Sequence, residues 1–159
     1  MNKTVVIYYS FEGNSEFVAE NIAKLMSADV EKLQVKNEPP KKGLGKFLHG
    51  GKAALLKDDP GLFPLQVDLA AYDTVVMFYP VWAGTFPPAI QEFLKQYPFE
   101  GKKLCIVANS ASGAAQKSID QMKEILKNNT FCGSLSLQNP KRNEEKVLGQ
   151  IREFVERLK

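Results

Sequence analysis

Three segments of this chain are apolar at nearly every position rather than at every second one. They are Thr4–Tyr9 (Thr-Val-Val-Ile-Tyr-Tyr), Thr74–Tyr79 (Thr-Val-Val-Met-Phe-Tyr) and Lys103–Ala108 (Lys-Leu-Cys-Ile-Val-Ala). Their β-branched and aromatic content marks them as strands. A strand with one face in water alternates apolar and polar residues. A continuous run has to be covered on both faces, as in a parallel sheet between two layers of helices. Helical-period segments stand between the runs. Phe17, Val18, Ile22, Leu25 and Met26 recur at that spacing, as do Ile90, Phe93 and Leu94, and Ile119, Met122, Ile125 and Leu126. Pro87 and Pro88 suit a helix's first turn, where a missing N–H costs nothing. Val147, Ile151, Phe154, Val155 and Leu158 form the stripe of a last helix, with Asn143 placed to cap it and Glu144 and Glu145 in its first turn.

Two further strands, Val30–Val35 and Phe131–Leu137, complete a set of five. Strands alternating with helices predict an α/β fold of three layers, a parallel sheet covered on both faces. Right-handed crossovers and five strands favour the doubly wound order 2-1-3-4-5. The 159 residues fit one domain, 1–159. Such a length buries roughly 70% of the unfolded chain's surface. Residues 36–67 break the rhythm: Asn37-Glu38-Pro39-Pro40 cannot continue a strand, and Leu44, Phe47, Leu48, Leu55 and Leu56 suggest a short helix. This segment is too short for a core of its own and reads as a long excursion after the second strand.

Composition narrows the functions. A net charge of +3 with scattered lysines gives no argument for nucleic acid. The modest cluster Lys36, Lys41, Lys42 and Lys46 reads as a solvated face first and as a docking patch second. His49 is the only histidine, and the two cysteines, Cys105 and Cys132, lack metal-ligand spacing. No metal site and no catalytic triad are therefore expected, and both thiols read as buried. No apolar run approaches the ~18–20 residues of a membrane span, and the opening residues are too short a stretch for a secretory signal. The chain reads as soluble and cytoplasmic, with no membrane partner.

In the 2-1-3-4-5 order a ligand sits beyond the carboxyl ends of strands 1, 3 and 4. The loops there are 10–15, 80–85 and 109–114. The first is Ser10-Phe11-Glu12-Gly13-Asn14-Ser15, and it opens a helix. Gly13 allows a bend that a Cβ would block, and the helix N-terminus favours an anion. Ser10, Asn14 and Ser15 are neutral donors, and the loop has no lysine or arginine. That suits a phosphate that is held without being hydrolysed. The second loop, Pro80-Val81-Trp82-Ala83-Gly84-Thr85, carries the only tryptophan where it could cover a flat aromatic ligand. The third, Asn109-Ser110-Ala111-Ser112-Gly113-Ala114, is built of small residues that let backbone approach a ligand's edge. Each loop alone also fits a plainer role: a capped helix start, a packed Trp, a flexible turn. Their coincidence at adjacent strand ends favours the ligand. A signalling receiver domain shares the strand order but needs acidic residues where Ser10 and Pro80 stand.

With these loops in view, the chain resembles the flavodoxin family over nearly its whole length except 36–67. Ser10–Ser15 resembles the family's FMN-phosphate loop, Pro80–Gly84 its first isoalloxazine loop, and Asn109–Gly113 lies where the second should be. The resemblance implies a flavodoxin-like fold and one non-covalently bound FMN. It implies Ser10, Gly13, Asn14 and Ser15 on the phosphate, with Phe11 and Glu12 in the same loop. It implies Trp82 on or beside the ring, Ala83–Gly84 near its reactive nitrogen, and 110–113 around its pyrimidine edge. The flavin would carry the chemistry, so no protein group is expected to be catalytic. Glu12 stands where the family has threonine; repulsion from a phosphate should turn its side chain outward, leaving only its N–H at the loop. The third loop lacks the tyrosine and acidic residues common in carrier flavodoxins, and the chain is slightly basic where they are acidic. The implied role is electron transfer with a redox partner protein or a small-molecule donor or acceptor, as monomer or homodimer. The alternative is an FMN-dependent NAD(P)H:quinone or small-molecule oxidoreductase on the same fold.

Overall fold

The three apolar runs and the two further strands pair into one sheet, whose faces the helices cover. The computed structural model describes residues 2–11, 13–38 and 60–159, Asn14 by its backbone alone. Its elements run β1 (Thr4–Tyr8), α1 (Asn14–Met26), β2 (Asp29–Lys32), β3 (Thr74–Pro80), α2 (Pro88–Gln96), β4 (Lys103–Ser110), α3 (Gln116–Ile125), β5 (Thr130–Gln138) and α4 (Glu144–Leu158). Short 3-10 turns lie at Leu69–Ala71 and Pro140–Arg142. All four pairings are parallel and the order is β2-β1-β3-β4-β5, as the sequence predicts.

Alternate residues of each strand divide between two cores. Val5, Ile7, Val75, Met77, Leu104 and Ile106 face α2 and α3, where Ile90, Phe93, Ile119 and Met122 cover them. Val6, Tyr8, Val76, Phe78, Cys105 and Val107 face α1 and α4, against Val18, Ile22, Ile151 and Phe154. The continuous runs are thus two alternating patterns superposed. Burying a side chain such as Met77 or Phe78 contributes about 1.5–3 kcal/mol, which makes the central strands the hardest part to perturb.

The edges depart from expectation. β2 ends at Lys32, not Val35, and its inward residue is Glu31 while Val30 is exposed. The register explains this: Glu31 pairs with Ile7 on the α2/α3 side, which the end of the excursion covers, and Val30 pairs with Val6 at the outer edge of the other face. The Glu31 carboxylate accepts from the N–H groups of Gln66 (2.9 Å) and Val67 (3.0 Å). Val35 instead forms an antiparallel bridge with Leu62, and Lys36 N–H donates to the Gly61 carbonyl at 2.8 Å, so the two legs of the excursion pair at their base. The short helix expected around Leu44–Leu56 lies outside the described residues, as do His49, Lys41, Lys42 and Lys46.

At the opposite edge, the β4–β5 register shifts between Leu104, paired with Phe131, and Cys105, paired with Gly133. Cys132 is the extra residue of this bulge, so its thiol is exposed rather than buried, whereas Cys105 is buried as expected. Phe131 is also exposed, with the Lys123 ammonium 4.2 Å from its ring centre. Leu25 and Ile125, expected on buried helix faces, are exposed, while the next residues, Met26 and Leu126, turn toward the core. Asn143 occupies the cap position of α4, but its side chain makes no capping bond. No described helix is long and apolar enough to cross a membrane.

Burial pushes the Glu31 carboxyl above its ordinary 4.5, and the two backbone N–H bonds pull it partly back. A carboxyl raised in the fold binds its proton more tightly there than in the unfolded chain. Its contribution to stability therefore falls as pH rises from 4.5 through the folded value. In urea unfolding between pH 4.5 and 7, Glu31→Gln should remove this fall and gain on the parent chain as pH rises. Glu31→Ala, which strands two N–H groups, should cost about 1–3 kcal/mol.

Candidate functional site

The ladder of β1, β3 and β4 holds three loops side by side beyond the sheet. Tyr9 N–H donates to the Phe78 carbonyl (3.2 Å) and Val81 N–H to the Asn109 carbonyl (2.7 Å), so pairing continues past the regular strands into the loops. The loops of residues 10–15, 80–85 and 109–114 consequently share one rim.

In the first loop, Gly13 takes φ +78° and donates its N–H to Ser10 Oγ at 2.9 Å. Gly13 is itself the N-cap of α1, so no side chain caps the helix. The first-turn N–H groups are left to other acceptors, the arrangement that receives an anion. Ser15 is buried in that turn. Glu12 and the Asn14 side chain lie outside the described residues. Glu16, in the first turn of α1, pairs with Lys32 at 3.2 Å and accepts from Tyr8 Oη at 3.2 Å. The Lys32 ammonium holds its carboxyl below the usual range, and burial with Glu16 beside it pushes the Tyr8 phenol up.

The second loop is a tight turn. Trp82 and Thr85 exchange both backbone hydrogen bonds, at 2.8 and 3.0 Å, and the two central residues have positive φ: Ala83 at +50° and Gly84 at +78°. That is the pattern of a type I′ turn. The Trp82 indole is 2% exposed. It meets Tyr9 and Phe11 edge-on, with ring centres 5.8 and 5.9 Å apart. Trp82 is therefore a wall of the rim, fastened to the first loop by aromatic edges. Tyr9 donates through Oη to Glu38 at 2.8 Å, joining the same wall to the start of the excursion; burial first and this bond second raise its phenol well above the ordinary range.

The third loop begins later than the sequence suggests, since β4 runs on through Asn109 and Ser110, and β3 takes in Pro80. The Asn109 Oδ1 and Ser110 Oγ atoms are buried and have no hydrogen-bond partner. Two adjacent orphaned oxygens are rare in a folded chain and call for a partner. Ala111, Ser112, Gly113 and Ala114 are exposed. The Ala111 carbonyl accepts from Gln138 Nε2 (3.0 Å) and Asn139 Nδ2 (3.4 Å), and the Gly113 carbonyl from Ser136 Oγ (3.2 Å).

Sequence reasoning missed this bracing and missed Lys141. A methyl placed on Gly13 would lie 3.3 Å from Lys141 Nζ, so an ammonium from the turn before α4 stands at the first loop. The signal lay in the topology: α1 and α4 cover the same face, which makes the approaches to their N-termini neighbours. Among the described residues no group of His, Cys, Asp and Glu could hold a metal.

A model of the flavodoxin family matches residues 3–157. The chain belongs to the flavodoxin family. By sequence, no curated protein matches this family member. Among solved structures it is similar to a Bacteroides eggerthii protein assigned as a flavoprotein, with a TM-score of 0.78 at 18% identity, covering 98% of this chain and 97% of that one. It is similar to a Lactobacillus acidophilus flavoprotein solved in complex with FMN (TM-score 0.65, 19% identity, 91% and 98% covered). Oxidised flavodoxin 2 of Bacillus cereus gives a TM-score of 0.66 at 15% identity, with 98% and 97% covered. At these identities the likenesses show the fold.

The turn at Ala83–Gly84 provides a direct stability test. A Cβ on Gly84 would meet nothing within 4 Å, so Gly84→Ala carries only the backbone cost of positive φ, about 1 kcal/mol. Ala83→Gly relieves the same kind of strain and should stabilise by about 0.5 kcal/mol net of the extra freedom of the unfolded chain. Paired urea curves should show the two shifts with opposite sign.

Proposed function

We propose that the chain binds one FMN non-covalently on the shared rim and acts in electron transfer through it. The observation that carries this reading is the pair of orphaned oxygens, Asn109 Oδ1 and Ser110 Oγ, buried where the family places the polar edge of the flavin ring. The remaining residues fit the same ligand. The uncapped start of α1 beyond Gly13 offers N–H groups to a phosphate, with Ser10 and Ser15 beside them. Asn109 and Ser110 offer polar atoms to the pyrimidine end, and the exposed backbone of Ala111–Gly113 lies next to them. Trp82 walls the ring site, and the Ala83–Gly84 turn presents backbone there without bulk. The L. acidophilus structure with FMN supports the choice of cofactor. Bound FMN would supply reversible electron uptake; the protein binds it, orients it and limits its contact with water.

One observation favours the second reading, a reductase of quinones or other small molecules. Residues 111–114 are exposed and carry no aromatic side chain, which would leave one face of the ring open to a second flat molecule. The electron donor and acceptor, protein or small molecule, follow from which reading holds.

The test is an absorption spectrum of the purified chain with added FMN, followed by reductive titration. Bound flavin bands and reduction in one-electron steps are the expected result. Rapid bleaching by NADH or NADPH would favour the reductase. No flavin bands and no thermal stabilisation at FMN near 1 mM, roughly a hundred times a 10 μM Kd, would sink the assignment, since binding at that excess stabilises by about 2.7 kcal/mol. Ser110→Ala and Asn109→Ala should leave the apo-protein as stable or more stable, because each removes an unsatisfied buried oxygen. Each should weaken FMN by up to about tenfold, the loss of one hydrogen bond.

A further inference from the structure

We propose that Glu38 is a positioning residue for the ring end of this site, acting through Tyr9 to hold the wall formed by Trp82 and Phe11. The inference rests on the FMN reading and concerns a residue outside all three loops. Tyr9 is 2% exposed and belongs to the core on the α2 and α3 side of the sheet. A buried phenol needs a partner for its hydroxyl. Among the described residues that partner is the Glu38 carboxylate, at 2.8 Å. A hydrogen bond to a carboxylate is stronger than one between neutral groups. Burial first and this bond second keep the proton on Tyr9, so the phenol stays the donor and the carboxylate the acceptor.

Glu38 itself is exposed, and its place is set by the backbone just before it. Asn37 N–H donates to the Pro60 carbonyl at 3.0 Å and Lys36 N–H to the Gly61 carbonyl at 2.8 Å. Val35 and Leu62, one on each leg of the excursion, are buried in the same core as Tyr9 and Trp82. The chain therefore leaves the sheet on a fixed path, with this carboxylate one residue beyond the last of these bonds. From Tyr9 the constraint passes to the rim through ring contacts. Tyr9 meets the Trp82 indole at 78° and 5.8 Å, and Phe11 meets it at 81° and 5.9 Å. Edge-on pairs depend on the angle and separation of their rings. In a close-packed core a phenol that turns to find another acceptor displaces the indole beside it. A site wall works when its side chains are locked by packing and by further hydrogen bonds behind them, and the Tyr9–Glu38 bond supplies that backing.

The experiment compares the parent chain with Glu38→Ala, Glu38→Gln, Tyr9→Phe and the double variant of Glu38→Ala with Tyr9→Phe. Quenching of flavin fluorescence gives the dissociation constants of FMN and riboflavin for each full-length apo-protein, with thermal unfolding as the check on folding. Trp82 is the only tryptophan, so its emission and its quenching by iodide read the wall before any flavin is added. Glu38→Ala and Tyr9→Phe should each weaken FMN and riboflavin alike, by about three- to tenfold, as expected for one hydrogen bond. The double variant should lose no more than the larger single loss, since both changes remove the same bond. Glu38→Gln, whose amide oxygen still accepts from the phenol, should stay within about twofold of the parent. Trp82 emission should move to longer wavelength in Glu38→Ala and keep the parent position in Glu38→Gln. Tyr9→Phe leaves no hydroxyl unsatisfied and carries the test if Glu38→Ala does not fold. Losses that add in the double variant, a Glu38→Gln chain as weak as Glu38→Ala, an unmoved Trp82 emission, or unchanged flavin constants in both single variants would each overturn the role of Glu38 and leave the FMN reading standing. Failure of the parent chain to bind either flavin would overturn both.

Discussion

The hydrogen-bond ladder joining β1, β3 and β4 is the constraint on which the molecule turns. These strands are buried on both faces, so none can shift register by one residue without sending an apolar set into the wrong core. Their carboxyl ends are consequently fixed relative to one another. The pairing does not stop at the last regular residue: Val81 N–H still reaches the Asn109 carbonyl at 2.7 Å. Three loops distant in sequence are held as one rim, and the aromatic edges of Tyr9, Phe11 and Trp82 tie two of them together.

Charge and polarity divide along this rim. Glu16 and Lys32 neutralise one another at the start of α1, and the Lys141 ammonium stands over the bend at Gly13. The other end of the rim is neutral and polar, with two buried oxygens lacking partners. A ligand with an anionic group at one end and a flat, polar-edged ring at the other matches this division.

The central strands, their order and the three loops were legible in the sequence, because continuous apolar runs and turn residues are local signals. What escaped was decided by contacts between distant segments. Glu31 is buried and Val30 exposed because the return of the excursion, thirty-five residues later, covers one face of the edge strand and supplies two N–H groups. Cys132 is exposed because a bulge leaves it unpaired between Phe131 and Gly133, an event no spacing rule marks. Lys141 carries no local signal because its neighbour Gly13 is far away in the chain. Trp82 lies in the loop after β3, but its orientation depends on Tyr9 and Phe11, which propensity does not encode.

The paired base of the excursion carries a consequence for how such a chain can diverge. Residues 34–37 and 60–63 are clasped by backbone bonds, including Phe63 N–H to the Gln34 carbonyl at 2.8 Å and Lys36 N–H to the Gly61 carbonyl at 2.8 Å. Chain length inserted beyond a clasp is not transmitted to the sheet, and closing a longer loop costs only about 0.6 kcal/mol per doubling. Descent can therefore lengthen, shorten or exchange the stretch between Pro39 and Asp59 while the five-stranded frame stays in register. The clasp thus separates the length of the sequence it closes from the register of the fold.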